Sequence, residues 1–207
     1  MSPQLPTNNI VKLDSMKEKY PVYTYAFWSA YFIHMRPYLL FVSGVAGLAG
    51  MAVFTDFQVN NWKTLIVFIP LFLGYGFGQA LTDCFQIDTD RISAPYRPLS
   101  RGIVSPKAVG IISVAGLIIC AFILVVFNPW NILFGVLTIL GLATYSFFKK
   151  RYWFAGPFYN AWIVALLPIM GFLAMTKAQL GDLNQATLLW VISLSFFSYA
   201  NFVLIGY

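Results

Sequence analysis

Six long apolar stretches leave this chain one solvent in which to fold. They cover about residues 38–56, 64–82, 108–127, 131–148, 153–175 and 185–207. At ~1.5 Å of helical rise per residue, each is long enough to cross a hydrocarbon core ~30 Å thick. With 59% hydrophobic and 10% charged residues, no single soluble core would hide the apolar surface. The expected fold is all-α, a polytopic membrane helix bundle with six transmembrane helices.

Charge placement gives the expected orientation. The N-terminal arm carries four of the 13 lysines and arginines (Lys12, Lys17, Lys19, Arg36), the loop after the second stretch four (Arg91, Arg97, Arg101, Lys107) and the loop after the fourth three (Lys149, Lys150, Arg151); only Lys63 and Lys177 fall on the other side, 11 against 2. The excess of basic residues marks the cytoplasmic side, so the N-terminus and the second loop are expected in the cytoplasm of a protein of the cell inner membrane. The net charge of +6 then reflects topology and contact with anionic membrane lipids, and nothing in the pattern asks for nucleic acid. Residues 1–37 form an N-terminal arm, in which the aromatic segment Tyr20 to Ile33 is too short to span and is expected to lie in the interface; residues 38–207 form the transmembrane domain. Cys84 and Cys120 sit at different depths and are expected to stay unpaired. His34, alone beside Arg36 and Pro37, reads as an interfacial or capping residue.

Into this apolar background is cut one polar island, Asp83 to Arg101, holding three of the seven acidic residues. Carboxylates at the mouth of a membrane bundle repel unless a cation joins them, and the neighbouring arginines suit an anion. The simplest ligand meeting both demands is a magnesium diphosphate. On a continuous helix, Phe72, Tyr75, Gln79, Asp83, Gln86 and Asp90 share one stripe, with Asp83 and Asp90 ~10 Å apart along the axis and Asp88 turned ~140° away as the weaker metal ligand. Pro95 and Pro98 end any helix there, so that Tyr96, Arg97, Ser100, Arg101 and Gly102 form a loop able to fold over the mouth; the alternative is a solvated basic loop that only fixes topology. Arg97, restrained by the flanking prolines, is the preferred phosphate contact. Tyr145 and Lys149 on the same side, with Asn160, Tyr199 and Asn201 near the inner ends of the fifth and sixth stretches, are candidate cavity groups, although basic anchoring and interhelical hydrogen bonds explain them equally. Gly74, Gly76 and Gly78 in the second stretch fit close helix approach or a ligand channel.

These residues resemble the UbiA superfamily of intramembrane prenyltransferases. Its first aspartate-rich motif, Asn-Asp-x-x-Asp-x-x-x-Asp, corresponds to Thr82-Asp83-Cys-Phe-Gln86-Ile-Asp88-Thr-Asp90, trailed by Pro95-Tyr96-Arg97-Pro98-Leu99-Ser100-Arg101-Gly102; Arg36-Pro37 and the run Tyr145-Ser146 to Lys149-Lys150 are also similar. Thr82 stands where the family has asparagine and Gln86 replaces the middle aspartate. The resemblance implies Asp83 and Asp90 as ligands of Mg2+ with Asp88 as a possible substitute, and Arg97 or Arg101 on a polyprenyl diphosphate. Gln79, Gln86, Tyr96, Tyr145, Lys149 and Asn160 complete the expected substrate contacts. Tyr75, Phe72 or Trp162 would face an allylic cation. It also implies nine spans with a second aspartate motif after the sixth, so six of nine would be present here, and the uncharged final stretch to Tyr207 reads as the end of a fragment.

The expected activity is transfer of a polyprenyl group from its diphosphate to an aromatic or other lipophilic acceptor. Three rivals stand beside it: a membrane terpene cyclase of the same fold, a non-catalytic transporter or lipid-binding protein, and a nucleotide-sugar site built on Asp88-Thr-Asp90.

Overall fold

The computed structural model describes residues 19–53, 62–152 and 155–205. Every regular element in them is helical: α1 (Tyr25–His34), α2 (Pro37–Ala52), α3 (Trp62–Phe85), α4 (Ile87–Ser93), α5 (Pro106–Phe127), α6 (Asn131–Arg151), α7 (Ala155–Met175), a 3-10 turn (Leu180–Asn184) and α8 (Ala186–Ile205). Each of the six apolar stretches thus holds a helix. Four of these (α3, α5, α7 and α8) are long and apolar enough to cross a membrane by themselves. A fifth span arises if α1 and α2, which meet at a 58° bend, are taken together, while the apolar part of α6, Asn131–Tyr145, is shorter. The chain is an integral membrane protein built as a helix bundle.

The bend has a local cause. Pro37 opens α2 without an N–H to give, and its ring denies Arg36 the helical conformation. Arg36 instead takes φ 52°, ψ 76°, the left-handed region, and is the one non-glycine residue with positive φ among those described. Such a backbone costs ~1–2 kcal/mol and needs compensation from what the residue touches.

α7 is the central helix, with Ala161, Ile163, Val164, Leu173 and Ala174 almost fully buried, and it packs against α2, α8 and α6, while α3 packs along α5 and α2. The tightest crossing joins α2 to α7. A Cβ at Gly50 would collide with the Pro168 carbonyl, and one at Gly171 with the Gly47 carbonyl, so backbone meets backbone where membrane helices place small residues. Gly76 and Gly78 serve packing too, against Leu40 and Met35 and against Leu142 respectively. Both cysteines are free.

The two ends of the bundle differ. At one, the Lys63 ammonium donates to the Met175 carbonyl and Asn128 Nδ2 to the Leu173 and Ala178 carbonyls. At the other, ~36 Å away along the 24 residues of α3, a separate apolar cluster joins Phe27, Tyr31 and Met35 to Leu40, Ala80, Leu99, Val104 and Val109. This cluster clamps α1 and the loop after α4 onto the bundle. The aromatic segment therefore buries Phe27, Ala30, Tyr31 and His34, while Tyr25 and Phe32 point outward.

Candidate active site

The helix carrying the acidic residues does not run through. α3 ends at Phe85, Gln86 takes φ −116°, ψ 14°, and α4 restarts at Ile87. The continuous stripe expected from the sequence is thus broken between Asp83 and Asp90, and the turn folds the second carboxylate back toward the first. The Asp90 N–H donates to the Gln86 carbonyl at 2.8 Å. α4 ends before Pro95, whose ring pushes Ala94 to φ −144°, ψ 60°.

The result is a buried charge cluster at the clamped end. Asp83 and Asp90 are 2% and 7% exposed. Arg97 Nη1 lies 2.6 Å from Asp90 Oδ2 and 3.4 Å from Asp83 Oδ1, so a single guanidinium nitrogen joins both carboxylates. Arg36 Nη2 adds a 2.7 Å ion pair to Asp83 Oδ1, which offsets the strain of its backbone. His34 occupies the other Asp83 oxygen at 3.1 Å. Taking such charges out of water is repaid only when both partners are present, and removing one leaves ~3–5 kcal/mol of uncompensated burial.

Beside the cluster opens a cavity of ≈690 Å³ with a mixed wall, in which Arg36, Arg97, Tyr145, Asn160 and Tyr199 face apolar groups such as Phe202 and Ile205. The guanidinium groups line this cavity and the two carboxylates stand behind them, which corrects the expectation that Asp83 and Asp90 themselves face the mouth. On its inner side Asn160 Nδ2 donates to the Tyr199 hydroxyl at 3.0 Å, and the Tyr199 and Tyr75 hydroxyls share a 2.5 Å hydrogen bond. Asn160 Oδ1 is buried without a hydrogen-bond partner. Tyr75 also forms part of the wall of a separate, mainly apolar pocket of ≈60 Å³ among Leu71, Leu124, Leu142, Ile163 and Met170.

The expected site residues divide accordingly. Asp83, Asp90 and Arg97 converge, and Tyr145 and Asn160 line the cavity next to them. Gln79 and Gln86 are buried on α3 and at its end. Tyr96 is 71% exposed, and Arg101 and Asp88 are exposed too. The Arg101 N–H bonds the Arg97 carbonyl in the turn that follows the cluster. The Lys149 side chain lies outside the described residues. Thr82 donates its hydroxyl to the Gly78 carbonyl of its own helix at 2.7 Å. Of the three aromatic candidates for the cation, Tyr75 meets the cavity wall through its hydrogen bond to Tyr199, whereas Phe72 packs on Phe41 and Phe68, and Trp162 on Tyr159.

Two residues join the cluster beyond the expected site set. Arg36 reads in the sequence as a topological charge and as part of the family-like Arg36-Pro37 pair, and His34 reads as interfacial or capping, although it is 1% exposed. The signal for both is the Arg36-Pro37 pair: a proline opening a span forces a turn at the residue before it and delivers that side chain to the bundle mouth.

A cation already sits between Asp83 and Asp90, namely the Arg97 guanidinium. Among the described residues no three His, Cys, Asp or Glu side chains gather to make a metal cage of their own. Two hard carboxylates are what a small divalent ion takes when phosphate oxygens and waters complete its shell, so the donor set fits a cation delivered with a phosphorylated substrate.

The model of the UbiA prenyltransferase family matches residues 40–205. The chain belongs to this family. Curated relatives named digeranylgeranylglyceryl phosphate synthase are similar along much of it: that of Thermococcus kodakarensis is 29% identical over 149 residues, 70% of this chain and 52% of the relative. That of Natronomonas pharaonis is 34% identical over 122 residues, 58% and 42% respectively. A solved structure of a digeranylgeranylglyceryl phosphate synthase superposes with a TM-score of 0.70 at 22% identity, covering 84% of this chain and 60% of that one, and shares the fold. The chain spans about half the length of the UbiA-family relatives it matches.

Proposed function

We propose that this UbiA-family chain carries one wall of a prenyl-transfer site, binding the diphosphate of a polyprenyl donor at the Asp83, Asp90 and Arg97 cluster and passing the prenyl group to a lipophilic acceptor. The observation that carries the reading is the two buried carboxylates bridged by one guanidinium beside a cavity with arginines and apolar groups in its wall, within a membrane bundle. The names of the relatives favour a glyceryl phosphate that already bears one geranylgeranyl chain as acceptor, in place of the aromatic acceptor allowed by the sequence. The cavity wall of arginines and tyrosines suits a second phosphate of that kind.

Asp83 and Asp90 are the residues that would hold Mg2+. When bound, that ion supplies charge neutralisation of the departing diphosphate. Arg97, released from the carboxylates, would turn its fork to the phosphate oxygens, and Arg36 would keep Asp83 oriented. The bond from the first prenyl carbon to the diphosphate oxygen breaks, and the acceptor hydroxyl oxygen forms an ether to that carbon and gives its proton to the released diphosphate or solvent. Tyr75, hydrogen-bonded to the cavity-lining Tyr199, would face the allylic cation, and the apolar surroundings would keep water from it.

The test is product analysis with geranylgeranyl diphosphate and geranylgeranylglyceryl phosphate on membranes containing the protein. Formation of the doubly alkylated lipid, dependent on Mg2+ and lost in Asp83→Asn, supports the proposal. A cyclised hydrocarbon formed equally without acceptor would replace it by the cyclase reading, and no consumption of the diphosphate would remove the catalytic role.

A further inference from the structure

We infer that His34 is a positioning residue for Asp83, tying the carboxylate to the loop that carries Arg97. The ring is 1% exposed and both nitrogens are engaged: Nδ1 lies 3.1 Å from Asp83 Oδ2, and Nε2 lies 3.2 Å from the Leu99 backbone nitrogen. A backbone N–H can only donate, so Nε2 accepts and carries no hydrogen. The ring hydrogen is therefore on Nδ1, and His34 donates to Asp83. The other Asp83 oxygen, Oδ1, receives Arg36 and Arg97. His34 thus fixes the plane of the carboxylate so that one oxygen stays turned toward the cation position, whichever cation is there.

The same ring spans three pieces of chain. It comes from the last residue of α1, bonds the last turn of α3, and accepts from Leu99, two residues after Arg97. Leu99 is itself buried in the apolar cluster with Phe27 and Tyr31, so the Arg97 loop cannot drift from Asp83 without breaking a buried hydrogen bond. Residues that orient a metal ligand in this way typically change metal affinity ~10–100-fold when replaced. A histidine that only filled space would not.

The inference rests on Asp83 as a cation ligand, and the experiment separates the two. Binding of Mn2+, as a paramagnetic stand-in for Mg2+, is measured on the full chain in detergent with inorganic pyrophosphate present, by the loss of free Mn2+ signal. Asparagine can place an amide N–H near the Nδ1 position, whereas phenylalanine keeps only the ring volume. His34→Phe is expected to weaken Mn2+ binding ~10–100-fold, and His34→Asn to retain it within about threefold, with the two variants melting at similar temperatures. Parent-like Mn2+ affinity in His34→Phe, with affinity lost in Asp83→Asn, would overturn the role of His34 while leaving the site intact. Affinity lost equally in both His34 variants, in step with their melting temperatures, would make the residue structural and overturn the inference as well. Unchanged affinity in Asp83→Asn would overturn the site, and with it the inference.

Discussion

Arg97 holds two carboxylates with one nitrogen, and no lysine can reproduce that while also reaching a phosphate. An ammonium is a single point donor, whereas the guanidinium keeps further N–H groups in a rigid plane. Arg97→Lys is expected to raise the Michaelis constant for prenyl diphosphate about tenfold or more with a smaller effect on turnover; an unchanged constant in steady-state assays would confine Arg97 to holding the loop. The acidic residues should separate by burial. Asp83→Asn and Asp90→Asn are each expected to lower kcat by roughly 10²–10³, the usual size for loss of one preorganised electrostatic group. The exposed Asp88 should tolerate asparagine within about threefold, as a surface change. Equal losses at all three positions, measured as diphosphate release, would mean that Asp88 moves into the site. At this scale the sequence announced Asp83, Asp90 and Arg97, because charge inside an apolar chain has few explanations. It did not tell that Tyr96 and Arg101 are exposed, because the conformation of a loop is set by turns such as that from Arg97 to Gly102, which composition does not reveal.

Helices were the legible elements, since hydropathy alone decides where a membrane chain must satisfy its own backbone. Their interruptions were harder to see. The break at Gln86 has no proline or glycine to mark it, and it overturned the assumed stripe by bringing Asp90 back to the same guanidinium as Asp83. The bend at Arg36 was marked by Pro37, yet its consequence depended on a left-handed backbone that only the packing of α1 supports. Packing also decides what the glycines do. Gly50 faces the Pro168 carbonyl of α7 with no room for a Cβ, while Gly110 on α5 has open space around it. Gly50→Ala is therefore expected to destabilise the bundle by ~1–3 kcal/mol, the range for overpacking a filled interface. Gly110→Ala should be neutral or stabilise by up to ~1 kcal/mol, because alanine is the better helix former. Thermal unfolding of the two variants in the same detergent checks this, and parallel behaviour would show that the α2 and α7 crossing is looser than the structure has it.

At the scale of the whole molecule, the two ends of the bundle carry different charge, and that difference predicts which way it sits in a membrane. Arg36, Arg91, Arg97, Arg101 and Lys107 all belong to the end that holds Asp83, whereas Lys63 and Lys177 belong to the other. A basic residue near the surface gains ~1 kcal/mol from the anionic cytoplasmic leaflet, and the excess at the acidic-cluster end is several residues, so that end should be cytoplasmic. It is also the side on which a water-soluble divalent cation would be available to the charge cluster. Single cysteines in a background lacking Cys84 and Cys120 report the orientation. Ile92 is 87% exposed at the cluster end, and Asn184 is exposed in the 3-10 turn at the other. A membrane-impermeant maleimide is expected to label Ile92→Cys in inside-out vesicles and Asn184→Cys in intact spheroplasts. The reverse pattern would place the charge cluster on the outer face and remove the charge argument, while labelling of both from one side would contradict the separation of the two ends along α3.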